Sequence, residues 1–162
     1  VAAPTMTLTG RLADRDSWTA ERCSIDLALG VVGPRSGMLI MREAHYGTTR
    51  FDDFVNRVGI TEKVAAGRLR ELVEAGLLER RPYREPGART RHEYVLTPAG
   101  ADLAPVLLAL MQWGDRHRTG ERGPALHAEH RGCGAPVTVQ PVCARGHTVP
   151  EDEIALSPAP PR

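Results

Sequence analysis

The stretch Gly59-Ile60-Thr61-Glu62-Lys63-Val64-Ala65-Ala66-Gly67-Arg68-Leu69-Arg70-Glu71-Leu72-Val73-Glu74-Ala75-Gly76 reads as one short helix over residues 61–75. The Thr61 hydroxyl is placed to cap its first turn, and Gly76 supplies its stop. At 3.6 residues per turn, Ala65, Leu69, Leu72 and Val73 share one apolar face, with Val64 at its edge. Lys63, Ala66, Gly67 and Arg70 fall on the opposite face, which is basic and small in its middle. Such a face can approach a phosphate-walled groove closely. The competing reading is an ordinary solvated helix.

The segment after Gly76 favours the groove. Leu77-Leu78-Glu79-Arg80-Arg81 reads as a strand, Glu85-Pro86-Gly87-Ala88 as a turn, and Arg89-Thr90-Arg91-His92-Glu93-Tyr94-Val95-Leu96 as a returning strand. From Arg80 to Arg91 there are five arginines and one acid, Glu85. A helix followed by a hairpin with a basic tip is the pattern of a winged helix-turn-helix, in which the helix enters the major groove and the wing, residues 84–92, straddles the backbone. Arginine suits both tasks, because its planar fork grips phosphate or guanine through two parallel hydrogen bonds. The expected DNA-contacting set is Thr61, Lys63, Ala66, Gly67, Arg70, Arg84, Arg89 and Arg91.

Just upstream, Arg50-Phe51-Asp52-Asp53-Phe54-Val55-Asn56-Arg57-Val58 spaces its apolar residues as a short helix, and Gly59 turns it into the next one. Nearer the N-terminus, Ile25, Leu27, Ala28, Leu29, Val31 and Val32 make one segment apolar nearly all round, which predicts a buried helix ended by Gly33-Pro34. Ser36 is placed to cap a helix over residues 37–45. Downstream, Thr97-Pro98 opens a helix that runs through Leu103, Val106, Leu107, Leu110, Met111 and Trp113, with Pro105 expected to bend it. That stripe is too apolar for a small core alone. It predicts a homodimer seam shared with the segment around Trp18.

The chain of 162 residues is long enough for one domain with a core and an appendage. Residues 1–16 read as a flexible arm, 17–118 as the DNA-binding and dimerisation domain, 119–126 as a linker, 127–156 as a small Cys/His unit rich in β-structure, and 157–162 as a disordered tail. The fold class is mainly α with a small β wing. A net charge of +1 makes the basic signal local to the wing. Aromatic content of 4% argues against stacking platforms for single-stranded nucleic acid. No apolar run approaches a bilayer span and no signal-peptide core opens the chain, so a cytoplasmic protein with no membrane partner is expected.

Six motifs together resemble those of the HxlR-type transcriptional regulators, winged-helix relatives of the MarR group, from Cys23 to about Trp113. They are Leu39-Ile40-Met41-Arg42-Glu43, Arg50-Phe51-Asp52-Asp53-Phe54, Ile60-Thr61-Glu62-Lys63-Val64 with Arg68-Leu69-Arg70-Glu71-Leu72, Gly76-Leu77-Leu78-Glu79-Arg80, Tyr94-Val95-Leu96-Thr97-Pro98-Ala99-Gly100, and Trp113-Gly114. The resemblance implies a homodimeric regulator that binds double-stranded DNA. A winged-helix module that binds protein without reading DNA is the alternative. The family usually carries a tryptophan where Ser36 stands here, a change that would loosen the core or open a pocket under the second helix.

Three sensing chemistries are open. Cys23 matches the cysteine that is a redox switch in some members of the family; a helix N-terminus, with Arg22 beside it, would favour its thiolate. A small hydrophobic effector between the dimer helices would meet Trp18, Met38, Leu110, Met111 and Trp113. His130, Cys133, Cys143 and His147 have the spacing and softness of zinc ligands, with His127 as a rival, although the Cys-x-x-Cys of related tails is broken at Cys143-Ala144-Arg145-Gly146-His147. The plain reading of that segment is a hairpin of residues 137–140 with 141–142. An enzyme built on Cys133, His130 and Glu129 would need an oxyanion-hole loop that the sequence lacks, so no catalysis is expected.

Overall fold

A computed structural model describes residues 5–19, 23–84 and 90–159. The expected wing turn, Glu85-Pro86-Gly87-Ala88, and with it Arg89, lies outside the described residues, as does Arg22. The chain forms two compact units, one of Arg22–Ala125 and one of Val1–Glu21 with Leu126–Arg162.

The larger unit holds α1 (Ser24–Val32), α2 (Arg35–His45), α3 (Phe51–Val58), α4 (Glu62–Glu74), the antiparallel strands β2 (Leu78–Tyr83) and β3 (Arg91–Leu96), α5 (Pro98–Ala101) and α6 (Ala104–His117). The smaller unit contains β1 (Thr7–Leu8) and β4 (Ala155–Leu156), paired in parallel.

The core lies where α2, α3 and α4 meet the wing root. Ile40 and Met41 of α2, Phe54 of α3, Leu69 and Leu72 of α4 and Leu78 of β2 are all fully buried. Phe54 meets Tyr94 of β3 edge to face, with ring centroids 6.3 Å apart, a preferred aromatic geometry. Glu43 is buried beside them; Arg42 donates to its carboxylate at 2.7 Å and the Thr48 hydroxyl at 3.3 Å, which satisfies a charge that would otherwise be costly to bury.

The helix-turn-helix is set by local chemistry. Gly59 closes α3 at φ 70°, in the left-handed region that glycine adopts without strain. Thr61 then caps α4, its hydroxyl accepting from the Val64 amide at 3.3 Å. Thr97 caps α5 by accepting from Gly100, and donates to the Gly76 carbonyl at 2.6 Å, fastening the start of α5 onto the turn after α4.

Several expectations are corrected. The α1 helix forms, but only Val32 is buried; Ile25 is 71% and Leu27 66% exposed. Apolar residues all round a helix require a cover, and that cover is not the chain's own core. Pro105 does not bend a continuous helix: the first segment stops at Ala101, and Pro105 sits in the opening turn of α6, where its missing N–H costs nothing. Ser36 does not cap α2, which begins at Arg35 without a side-chain cap; its hydroxyl instead accepts from Arg68 of α4 at 3.3 Å. In place of a flexible arm, the structure pairs residues 7–8 with 155–156 and forms two 3-10 turns, Gly10–Leu12 and Arg15–Ser17. The expected hairpin of residues 137–142 is absent; two isolated bridges, Glu129 with Pro136 and Val142 with Thr148, hold two tight turns.

Candidate nucleic-acid interface

The outward face of α4 is formed by Lys63, Ala66, Gly67 and Arg70, opposite buried Ala65, Leu69 and Leu72. Lys63 makes no hydrogen bond or ion pair among the described residues. Arg70 approaches Glu74 only at 4.0 Å with both side chains about 70% exposed, a pairing worth little in water. Both cations are thus available to an external anion. Arg68 is not: it bridges Ser36 of α2 and Glu71, and so ties α4 to the helix beneath it.

Gly67 is informative for what does not surround it. It sits inside a helix, where glycine is less favourable than alanine by about 1 kcal/mol. A Cβ placed there meets no atom of the described residues within 4 Å, and its φ is not positive. Among the described residues nothing at this point asks for glycine, as is also the case for Gly30 in α1 and Gly114 in α6.

The wing carries Arg84 at the end of the described β2 arm and Arg91 at the start of β3, opposite Tyr83. Arg80 and Arg81 are more committed. Arg80 lies 2.9 Å from His92 Nδ1, and Arg81 donates to Glu79 at 2.9 Å, a bond that holds the Glu79 carboxyl below its ordinary range. The sequence reading missed Arg50. Its guanidinium lies 3.2 Å from the centre of the Tyr83 ring and 3.8 Å from Glu93, while Thr49 accepts a backbone bond from Tyr94. These contacts brace the wing root against the first turn of α3. A cation just before the apolar Phe51 was the available signal, but its partners lie thirty and more residues downstream.

The structure also places the other expected sites. Cys23 is a half-buried free thiol at the N-cap of α1. Met38, Leu110, Met111 and Trp113 belong to the larger unit. Trp18 belongs to the smaller one, where Arg15 covers its ring at 4.8 Å and its indole N–H donates to Leu12. The groove between α3 and the wing root is lined by none of these residues. His130 Nδ1 lies 3.1 Å from Cys133 Sγ. Cys143 and His147 share a second turn, closed by Gly146 at φ 83°, in which backbone hydrogen bonds from Arg145 and then His147 pull the Cys143 thiol below its ordinary pKa. Among the described residues no three metal-ligating side chains come together. No single described helix is long and apolar enough to cross a membrane.

Known proteins share this architecture. The chain is 38% identical over 138 residues to the uncharacterized HTH-type transcriptional regulator Mb3122 of Mycobacterium bovis, covering 85% of this chain and 86% of that one. Among solved structures, the candidate transcription factor PA1607 superposes with a TM-score of 0.76 at 31% identity, over 85% of this chain and 95% of the other. The redox regulator HypR in its reduced form superposes with a TM-score of 0.52 at 30% identity, over 59% and 93%. Residues 31–122 match the family model described as HxlR-like helix-turn-helix. The chain therefore belongs to the HxlR-like helix-turn-helix family, a family of transcriptional regulators rather than enzymes.

Proposed function

We propose that the protein acts as a homodimer on double-stranded DNA in the cytoplasm, with α4 in the major groove and the wing on the flanking backbone. The observation that carries this reading is the outer face of α4: two uncommitted cations around a glycine that the fold does not require. Thr61 and Lys63 would meet the groove at the helix start, Ala66 and Gly67 would permit close approach, and Arg70 would read a base edge or grip a phosphate. Arg84 and Arg91 would hold the backbone; Arg89 completes that set from outside the described residues.

The test is selection of bound fragments from sheared genomic DNA, with Arg70→Ala run in parallel. A near-palindromic site should be enriched, and Arg70→Ala should weaken specific binding by about 1–3 kcal/mol. Unselective capture by both proteins would leave the protein-binding alternative standing. Arg91→Gln should behave differently. It should weaken all sequences alike and reduce the slope of log affinity against log salt by about one unit. An unaltered salt slope would remove Arg91 from the backbone contacts.

For control, thiol chemistry is favoured by one observation: Cys23 opens the exposed apolar helix α1, and the HypR regulator of the same fold is known in reduced and oxidised forms. An intersubunit disulfide through Cys23 would couple oxidation to the angle between subunits. Diamide treatment should then give a dimer band on a non-reducing gel that Cys23→Ser abolishes. A band that survives in that variant assigns the linkage to Cys133 or Cys143 instead.

A further inference from the structure

An open groove of about 600 Å³ separates the first turn of α3 from the root of the wing. Three guanidiniums and two carboxylates line it, and Arg50, at the α3 end, is engaged with the Tyr83 ring at 3.2 Å and with Glu93 at 3.8 Å. The α3 wall presents Asp52 and Asp53, neither of which has a hydrogen bond or ion pair among the described residues. The wing wall presents Arg80 and Arg91; Arg80 reaches only His92, and Arg91 has no polar side-chain partner among the described residues. Tyr83 and Tyr94 line the same groove, one face of the Tyr83 ring being covered by Arg50.

Carboxylates and guanidiniums that face one groove without neutralising each other leave a local field with two poles. A ligand that is only an anion is repelled by Asp52 and Asp53. A ligand that is only a cation is repelled by the arginines. A molecule with an ammonium at one end, a carboxylate at the other and a planar body between would satisfy both walls and lie against the tyrosine rings.

From this arrangement we infer that the groove binds a small zwitterion of the aromatic amino-acid type. The ammonium pairs with Asp52 and Asp53, and the carboxylate pairs with Arg91 and Arg80. Because β2 and β3 form one wall, an occupant links the wing to α3, and the groove becomes a place where a metabolite can set the wing's position on DNA. This is separate from DNA reading and is tested in the free protein, so either can fail alone.

The experiment is an NMR titration of the full chain with three probes: L-phenylalanine, 3-phenylpropionate, which lacks the ammonium, and phenethylamine, which lacks the carboxylate. L-Phenylalanine should give saturable shifts at the Tyr83 and Tyr94 ring resonances. Each singly charged probe should bind about fivefold more weakly or worse, the size of one exposed ion pair. Asp53→Asn and Arg91→Gln should each weaken L-phenylalanine by a similar factor, with resonances of the buried Phe54 unchanged to show that the fold is intact. No saturable shift at millimolar L-phenylalanine would overturn the proposal. So would equal binding of 3-phenylpropionate, since the carboxylates of α3 would then contribute nothing.

Discussion

Gly67→Ala is expected to raise the unfolding free energy by about 1 kcal/mol, while Gly67→Leu lowers affinity for the selected DNA site by about tenfold or more. The stability gain comes from helix propensity, because alanine loses less backbone entropy than glycine and nothing among the described residues lies within 4 Å of the added carbon. The binding loss comes from the same open space. If that space is where the edge of the groove comes to lie, an isobutyl group holds α4 away from it, and the loss corresponds to about 1.4 kcal/mol.

Gly100, another helical glycine, calibrates the experiment. A Cβ there would overlap the carbonyl oxygen of Leu77 and crowd the Leu96 side chain. It sits where Thr97 and His45 fasten α5 onto the turn after α4. Gly100→Ala should therefore destabilise the fold by about 3 kcal/mol, the upper range for overpacking. Chemical denaturation and fluorescence anisotropy on the three variants separate a glycine kept for the fold from one kept for a partner. If Gly67→Leu bound DNA at full strength, the centre of α4 would not face the groove.

What the sequence shows well is what is decided within a few residues. Thr61, Gly59, Gly76 and Thr97 act at the helix ends where their side chains, or lack of one, predict. The buried face of α4 is legible from spacing alone, since Ala65, Leu69 and Leu72 have only one side to hide. The misreadings share a cause: the deciding partner is distant or is another molecule. Residues 7–8 find their strand partner at 155–156, and two-residue strands carry no periodicity to announce it. Ser36 could have capped its own helix, but Arg68, on a different helix, takes its hydroxyl. The wing-root groove draws on Asp52, Tyr83 and Arg91, three residues with no shared motif. In α1 the apolar pattern was legible and its meaning was not, because periodicity distinguishes covered from exposed faces without saying what covers them.

On α1, Ile25, Leu27, Leu29 and Val31 are 71, 66, 53 and 38% exposed, and on α6, Val106, Leu110 and Trp113 are 45, 49 and 54% exposed. Neither helix is held by a buried residue of its own beyond Val32. A single chain that left this much apolar surface in water would lose the burial that stabilises it, at roughly 25 cal/mol for each Å². A second copy that brings the same two helices offers a self-complementary cover, the usual form of a twofold interface. Leu27→Glu combined with Leu110→Glu should therefore convert the protein to a monomer in sedimentation. Its circular dichroism should change little, because neither residue belongs to the α2–α3–α4 core. The effect on DNA should be larger than that of any single contact. A dimer presents its second α4 at a high effective concentration once the first is bound, so separating the subunits should cost about 100-fold or more in affinity for a two-half-site target. Binding to an isolated half-site should be unchanged. A double variant that remains dimeric would place the subunit interface elsewhere. A monomer that keeps full affinity for the palindrome would show that each α4 reads DNA independently.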